Sequence, residues 1–324
     1  MRIRQEIFFA LELPYRERLV LERTIFEGGA GPPGQRDGPR VAIVSGIHGD
    51  ELEGLYVCHR LAAWLEQLGK ERPDALLGQV ELYPALNPLG LDTLRRSVPI
   101  YDVDLNRNFP GHAEGLLPQR VADAAMRALG GASLVVDIHA SNIYLREIPQ
   151  VRIAQDFAAT LVPLARDMNL DLVWVHGAAT VLENTIAHSL NASGVPCLVV
   201  EMGAGMRVTP VFAEQVVIGI LHAWQALGVL ADDLELEPNT HAPLIAHDGN
   251  VHYLNAEVSG LFVPSAAHWM AVGQGQLLGR IVSPLRGEVL AEVRSPVEGV
   301  LFTLREYPLV YEGSLLARIM ETQR

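Results

Sequence analysis

The chain has 324 residues, which is enough for a large hydrophobic core and typical of a protein with two domains. Hydrophobic residues make up 49% of the chain and charged residues 19%, and this balance excludes a disordered protein. The formal net charge of −13 argues against a nucleic-acid partner, because a negative surface repels the phosphate backbone.

Cysteine content and the N-terminal sequence bear on the cellular compartment. Cys58 and Cys197 are too few for a disulfide framework or a cysteine zinc site, so a reducing environment is predicted. The first six residues lack the apolar core of a signal peptide, and no stretch approaches the ~18 apolar residues of a membrane span. We therefore expect a cytoplasmic protein without a membrane partner, and the sequence leaves open whether it forms a homo-oligomer.

Two strands are predicted first, around Glu6–Leu13 and Arg18–Phe26, followed by a glycine-rich loop over residues 28–34. The next two hundred residues alternate between strand and helix patterns. Predicted strands lie near 40–46, 79–86, 133–139, 171–176 and 196–201. Predicted helices lie near 51–69, 118–130, 154–168, 183–192 and 210–229. This alternation predicts an α/β fold with a mixed sheet flanked by helices.

The character of the chain changes from about His241, where short β-rich segments alternate with glycine and proline turns. Such spacing predicts a small all-β domain over 241–324, joined to a larger domain over 1–235 by an acidic linker. The segments resemble the barrel-sandwich of biotinyl and lipoyl carrier domains. Those carriers need a lysine at a hairpin tip, and the one lysine of this chain is Lys70. An accessory β-domain is therefore predicted rather than a carrier.

A histidine and a carboxylate follow the first apolar strand of the alternating region. His48 and Glu51 lie in a glycine-punctuated turn, and zinc binds such nitrogen and oxygen donors. The pair alone is common in proteins. Two further apolar strands, however, end in His139 and in Glu201. Three strands that each end in such a residue indicate an active-site crevice at one edge of an open α/β sheet.

Four motifs occur in an order that carries a family resemblance. They are His48-Gly-Asp-Glu51, Asp104-Leu-Asn106-Arg107, Asp137-Ile-His139 and Glu201-Met-Gly203. Together they resemble the zinc carboxypeptidase superfamily and, within it, the succinylglutamate desuccinylase/aspartoacylase branch, most closely its N-acetyl-diaminobutyrate deacetylase-like members. The resemblance runs from about residue 38 to 205, and the C-terminal β-domain is also like that branch. It implies a zinc-carboxypeptidase-like sheet and a hydrolase catalytic domain over 1–235.

The resemblance implies one Zn²⁺ ion per chain, held by His48, Glu51 and His139. Two imidazoles and a carboxylate suit zinc and leave a coordination position open. Asp104 is similar to the family aspartate that accepts a hydrogen bond from a ligand histidine. Glu201 is similar to the family's general base, which also returns the proton as an acid.

Other residues are implied to contact the substrate. Asn106 and Arg107 resemble the pair that grips a substrate carboxylate, a task that suits a guanidinium. An arginine upstream of them is implied to stabilise the oxyanion. Arg96 is our choice, and Arg95 in the same loop stays an alternative.

The segment after His139 departs from the family pattern. The deacetylases usually carry Ser-Gly-Gly there, whereas this chain has Ala140-Ser-Asn142. Tyr144 and Arg146 are candidates for contact with the leaving portion of the substrate, and a plain surface role is an equal alternative. Histidines outside the motifs, such as His176 and His188, are predicted to be structural or surface residues.

The predicted function is a zinc-dependent amidohydrolase that deacylates a small N-acyl amino acid or related N-acyl amine, one that carries a carboxylate. The alternatives are a zinc carboxypeptidase acting on short peptides and an esterase of the same family. A catalytically silent binding protein that kept the fold is the rival from another class.

Overall fold

A computed structural model describes residues 1–29, 38–177 and 183–322 of the chain. Most of the glycine-rich loop predicted over 28–34 lies outside these residues. The strands are β1 (Arg2–Glu12), β2 (Arg18–Glu27), β3 (Arg40–Val44), β4 (Gln79–Tyr83), β5 (Leu134–Ala140), β6 (Leu145–Ala154), β7 (Leu172–His176), β8 (Cys197–Gly203), β9 (Leu244–His247), β10 (Val251–Asn255), β11 (Gly260–Pro264), β12 (Met270–Val272), β13 (Leu277–Ser283), β14 (Glu288–Arg294), β15 (Gly299–Arg305), β16 (Leu309–Val310) and β17 (Leu315–Glu321). The helices are α1 (Glu53–Glu71), α2 (Pro88–Thr93), α3 (Leu117–Leu129), α4 (Ala158–Arg166), α5 (Ile186–Ala192) and α6 (Pro210–Ala226).

The largest element of the described chain is a mixed sheet of thirteen strands, with a main path in the order β1-β2-β4-β3-β5-β8-β6-β15-β17-β10. At its centre β4, β3, β5 and β8 run parallel, and β6 pairs antiparallel with β8. Helices α1, α4 and α6 pack on one face, and α3 and α5 pack on the other. Both faces of the central strands are covered, which is why these strands are continuous apolar runs in the sequence.

The predicted α/β class is confirmed, and each strand and helix predicted before residue 230 has a counterpart in the structure. Strand β6 was not predicted. Its apolar residues are interrupted by charged side chains and by Pro149, so its sequence does not show a simple strand pattern. The helix predicted from residue 154 begins at Ala158, because residues Gln155–Phe157 form a 3₁₀ turn first.

Within the described residues, no helix is both long and apolar enough to cross a membrane.

The C-terminal residues build a second, four-stranded antiparallel sheet in the order β14-β13-β11-β16, which shares a hydrophobic core with strands of the large sheet. Hydrogen bonds also cross the predicted domain boundary. Strand β9 pairs with β7, and β15 pairs with β6. Residues 232–243 between α6 and β9 lack helix and strand, as expected of a linker. The division into 1–235 and 241–324 stays a prediction.

A small cluster of apolar side chains joins the two parts of the chain. Phe302 on β15 is fully buried in it, together with Trp174 of β7 and Ile148 of β6. Phe302 and Trp174 meet edge to face, with ring centroids 5.9 Å apart. This cluster is therefore one apolar contact between the C-terminal strands and the strands that precede residue 230.

We predict that Phe302→Ala lowers the free energy of unfolding by about 3–5 kcal/mol, because it opens a cavity in this buried cluster. Urea denaturation followed by circular dichroism measures the change. Tyr311→Ala is the matched control, since that ring is 80% exposed and its loss should change stability by about 0.5 kcal/mol or less. Equal stability of the two variants would contradict the prediction.

Candidate active site

The candidate site lies where the carboxyl ends of β3, β5 and β8 meet. Val44, the last residue of β3, pairs with Asp137 of β5, and His139 of β5 pairs with Glu201 of β8. His48 follows β3 after a short turn. Parallel pairing in this register brings residues that are far apart in sequence to one edge of the sheet, as predicted for an open α/β fold.

Two glycines shape the turn that carries His48. Gly46 has a φ of +63°, a conformation that glycine adopts without strain. Gly49 packs so tightly on the backbone carbonyl of Gly90 that a Cβ atom there would collide with it. The close approach of these two segments places His48 and Glu51 at the edge of the sheet.

His48, Glu51 and His139 form one buried cluster. The Nδ1 atom of His48 lies 2.7 Å from Oε1 of Glu51, and the Nδ1 atom of His139 lies 2.8 Å from Oε2. The backbone N–H of Ala140 also donates to Oε2 of Glu51, at 3.1 Å. One ligand atom from each of the three residues lies within 4.8 Å of the others, so this cluster could hold a metal ion.

Each histidine uses its second ring nitrogen to contact another carboxylate. The Nε2 atom of His48 lies 3.0 Å from Oδ1 of Asp104, and the Nε2 atom of His139 lies 2.9 Å from Oδ2 of Asp137. The structure thus places Asp104 at His48, one of the two predicted ligand histidines. Asp137 is a second such partner whose role the sequence did not reveal. Both imidazoles are held with Nδ1 facing Glu51 and Nε2 facing a second carboxylate. Such a partner for the other ring nitrogen is usual for a histidine that binds a metal.

The charges in this cluster balance one another. Burial alone would raise the pKa of Glu51, but the histidines His139 and His48 hold it well below its usual range. Burial alone would lower the pKa of both histidines, yet their carboxylate partners raise it above its usual value. The raised pKa of each histidine favours a protonated ring beside Glu51. A divalent cation would replace those protons.

Arg96 reaches this cluster, and Arg95 does not. The Nη1 atom of Arg96 donates to Oε1 of Glu51 at 2.8 Å, and Nη2 lies 3.4 Å from Oδ2 of Asp104. Arg95 contributes its backbone carbonyl, which accepts a hydrogen bond from the N–H of Gly49. Of the two candidate arginines, the structure brings Arg96 to the site.

Asn106 and Arg107 lie beside Asp104. Oδ1 of Asn106 accepts a hydrogen bond from the backbone N–H of Ile186 at 2.9 Å, which ties it to the start of α5. The amide nitrogen of its side chain then remains for a ligand. The guanidinium of Arg107 donates to the carbonyl of Asn106 and lies 4.0 Å from Asp104. Arg107 is partly exposed and lines the same cavity as the histidines.

Glu201 on β8 lies beside His139, its register partner on the neighbouring strand β5. Its Oε1 atom is 3.2 Å from the Nη1 atom of Arg152 on β6. Burial raises the pKa of Glu201 above its usual value, although the Arg152 guanidinium acts to lower it. Burial and the Arg152 guanidinium thus act on the pKa of Glu201 in opposite directions, and the effect of burial is the larger. A carboxyl group with a perturbed pKa in a cavity is a candidate for proton transfer.

Tyr144 and Arg146 lie apart from these residues and do not line the cavity. The ring of Tyr144 meets the Tyr307 ring edge to face, and the Nη1 atom of Arg146 lies 3.4 Å from Oε1 of Glu306. Both side chains therefore contact the C-terminal strands and loops. Their contact with a substrate stays a prediction.

Apart from Asp104, the other predicted residues share one cavity with a volume of about 480 Å³. It is lined by His48, Glu51, Arg96, Asn106, Arg107, His139 and Glu201. His176 and His188, which the sequence did not connect with the site, line the same cavity. The lining also includes apolar side chains, among them Ile153, Phe157 and Val199.

The succinylglutamate desuccinylase/aspartoacylase catalytic domain matches residues 37–227 of the chain, and the chain belongs to this family. The resemblance predicted from the four motifs is thereby confirmed. The family and its relatives indicate an enzyme that removes acyl groups, so the predicted class of enzyme is confirmed at that level.

One relative identified by sequence and two solved structures resemble the chain over most of its length. The N-alpha-acetyl-L-2,4-diaminobutyric acid deacetylase of Halomonas elongata is 28% identical over 297 residues, covering 88% of this chain and 83% of that protein. The product-bound ectoine utilization protein EutE (DoeB) of Ruegeria pomeroyi has a TM-score of 0.82 at 22% identity, covering 99% and 95% of the two chains. A succinylglutamate desuccinylase of Silicibacter sp. TM1040 has a TM-score of 0.81 at 23% identity, covering 98% and 95%. The two structures show that the fold is shared.

We predict that Asp137→Asn weakens zinc affinity by about 10–100-fold, because the amide no longer orients and polarises His139 as a carboxylate does. Competition with a chromophoric chelator measures the affinity. Asp102→Asn is the control, since Asp102 lies on the surface and bonds to Ser97 instead of a histidine. Unchanged affinity in Asp137→Asn would show that this carboxylate does not support a metal ligand.

Proposed function

We propose that the protein is a zinc-dependent amidohydrolase that removes the acyl group from a small N-acyl amino acid. The observation that carries this proposal is the joint placement of His48, Glu51 and His139 in one cavity with Glu201 and Arg107. Such a cavity combines candidate metal ligands, a carboxylate for proton transfer and a cation for a substrate carboxylate.

The donor set fits zinc. Two imidazole nitrogens and one carboxylate are the protein ligands of many catalytic zinc sites, which keep a fourth position open. The contacts of His48 with Asp104 and of His139 with Asp137 agree with that assignment. Zinc, when bound, supplies Lewis-acid polarisation and makes a nucleophile available at neutral pH.

Glu201 is the proposed group for proton transfer. It would accept a proton from the attacking water and donate it to the amine nitrogen as the C–N bond breaks. Its raised pKa favours the return of the proton, and the adjacent Arg152 favours the ionised form that starts the cycle. The products are the free amine and the acid of the acyl group.

Arg96 and the Asn106–Arg107 pair have separate proposed tasks. Arg96 can donate to the carbonyl oxygen as negative charge develops there, in the manner of an oxyanion hole. Arg107 can bind a substrate carboxylate, with the Asn106 amide as a second donor. The carboxylate end and the reacting carbonyl of the substrate would then be held at the same time.

The size and lining of the cavity favour small substrates. A volume of about 480 Å³ is in the usual range for sites that enclose small molecules. Its apolar portion around Phe157 and Val199 suits the aliphatic part of an acyl group or an amino acid. The Halomonas elongata relative is a deacetylase of an N-acetylated amino acid, which supports this class of substrate. A cytoplasmic location also stays part of the proposal.

We predict that the zinc-loaded protein hydrolyses N-acetyl, N-succinyl or N-formyl amino acids in preference to dipeptides and esters of similar size. Glu201→Gln should retain zinc and lower kcat by about 10²–10⁴-fold, because the amide cannot transfer the proton. Product formation by liquid chromatography and metal content by mass spectrometry are the two measurements. Turnover of dipeptides alone would support a carboxypeptidase instead, and an active Glu201→Gln variant would exclude this residue as the base.

We predict that Arg96→Met lowers kcat by about 10²–10³-fold, because one donor to the developing oxyanion costs about 2.7–4 kcal/mol when it is removed. Arg95→Met is the matched control and should keep kcat within about threefold, since its side chain does not line the cavity. Steady-state kinetics of both variants with the preferred substrate test the choice. A larger loss in Arg95→Met would reverse the assignment.

A further inference from the structure

A fully buried carboxylate lies at the junction between the active site and the C-terminal strands. Oε1 of Glu147 accepts hydrogen bonds from Arg152 at 3.1 Å and from Arg318 at 2.7 Å. Its Oε2 atom accepts from Gln150 at 2.7 Å and from Thr303 at 2.6 Å. A buried carboxylate is costly unless it is paired and hydrogen-bonded, and four donors meet this requirement for Glu147.

The donors to Glu147 come from both parts of the chain. Arg152 lies on β6 with Glu147 itself, whereas Thr303 lies on β15 and Arg318 on β17. Strand pairing fixes their positions. Strand β15 lies between β6 and β17, and its residue Thr303 is directly opposite Glu147 on β6 and Arg318 on β17. The C-terminal strands therefore complete the surroundings of a carboxylate that belongs to β6.

Arg152 connects this carboxylate to Glu201. Its Nη2 atom lies 3.1 Å from Glu147, and its Nη1 atom lies 3.2 Å from Glu201. The guanidinium also packs against the ring of Trp174, 5.5 Å from its centroid. A planar guanidinium that is held at both terminal nitrogens, Nη1 and Nη2, and against an aromatic ring has little freedom to turn. Oε1 of Glu201 is thereby kept on one side of the cavity.

Arg318 matters for the charge balance around Glu147. Two carboxylates, Glu147 and Glu201, contact two guanidinium cations, those of Arg152 and Arg318. If Arg318 were removed, Glu147 would have Arg152 as its one remaining ionic partner. The guanidinium would then be drawn toward Glu147, and Glu201 would lose its contact.

We propose that Arg152 is a positioning residue for Glu201, and that the C-terminal strands hold Arg152 in place through Thr303 and Arg318 acting on Glu147. The inference rests on the proposed function in that Glu201 is taken as the proton-transfer group. It assigns a role to the C-terminal residues that the motifs do not reveal, since the site is incomplete without Thr303 and Arg318.

The first test is a kinetic comparison of Arg152→Gln with Arg152→Lys. Arg152→Gln should lower kcat by about 10–100-fold, as for other residues that orient a functional group, with KM changed by less than about threefold and zinc content unchanged. Arg152→Lys should recover part of the loss. It restores the positive charge but has one nitrogen in place of the two guanidinium nitrogens that contact Glu147 and Glu201. Wild-type kcat in Arg152→Gln would overturn the proposal.

The second test uses the C-terminal residues, which avoids removing a charge beside Glu201. Thr303→Val and Arg318→Gln should each lower kcat more than they change KM. Arg280→Gln is the control, since Arg280 lies on β13 and pairs with Glu292 at the surface. Thr303→Val and Arg318→Gln variants with the kinetics of Arg280→Gln would overturn the role of the C-terminal strands.

A double-mutant cycle between Arg152 and Glu201 closes the test. Combined with Glu201→Gln, the Arg152→Gln change should reduce residual activity by less than about twofold, because residues that act as a unit are not additive. The urea midpoints of the same four proteins should also be non-additive, and this readout does not require activity. An inactive wild type would reject the proposed function, whereas an active wild type with additive changes would reject only the role of Arg152.

Discussion

The parallel pairing of β3, β5 and β8 is the constraint on which the site depends. Hydrogen bonds between these strands make His139 and Glu201 direct neighbours and bring His48 to the same edge. A slip of one residue would turn the side chains of a strand to the opposite face of the sheet. Close packing on both buried faces opposes such a slip, because every side chain of the strand would then meet neighbours of a different size and shape. The core thus determines the geometry of the site.

The second condition is that the buried carboxylates at the centre of the site have partners. Glu51 contacts two histidines and Arg96, and Glu147 has four donors. Buried ion pairs contribute little net stability, since the loss of hydration offsets their attraction. Their presence in the core of the sheet is therefore better explained by function than by stability. The pairs keep ionisable groups in fixed positions, which a catalytic site requires.

Much of the fold could be predicted because its signals are local. Continuous apolar runs identified β3, β5 and β8, and the ordered motifs identified the family. Other features were not readable in this way. Strand β6 carries Glu147 and Arg152 within an apolar segment, so its sequence resembles neither a buried strand nor an exposed one. Glu147 is buried with two donors from its own strand, Gln150 and Arg152. The other two, Thr303 and Arg318, come from distant strands, and the local sequence contains no sign of them.

The sequence by itself determined the kinds of residue at the site, since His48, Glu51, His139 and Glu201 are recognisable from short motifs at strand ends. The tertiary structure decided which neighbours support them. It brought Arg96 to Glu51 instead of Arg95, and it placed Tyr144 and Arg146 away from the cavity. It also joined Arg318 to Glu147, across 171 positions of the chain. Spacing along a chain does not encode such contacts, because strand order and register between distant segments depend on how the whole core packs.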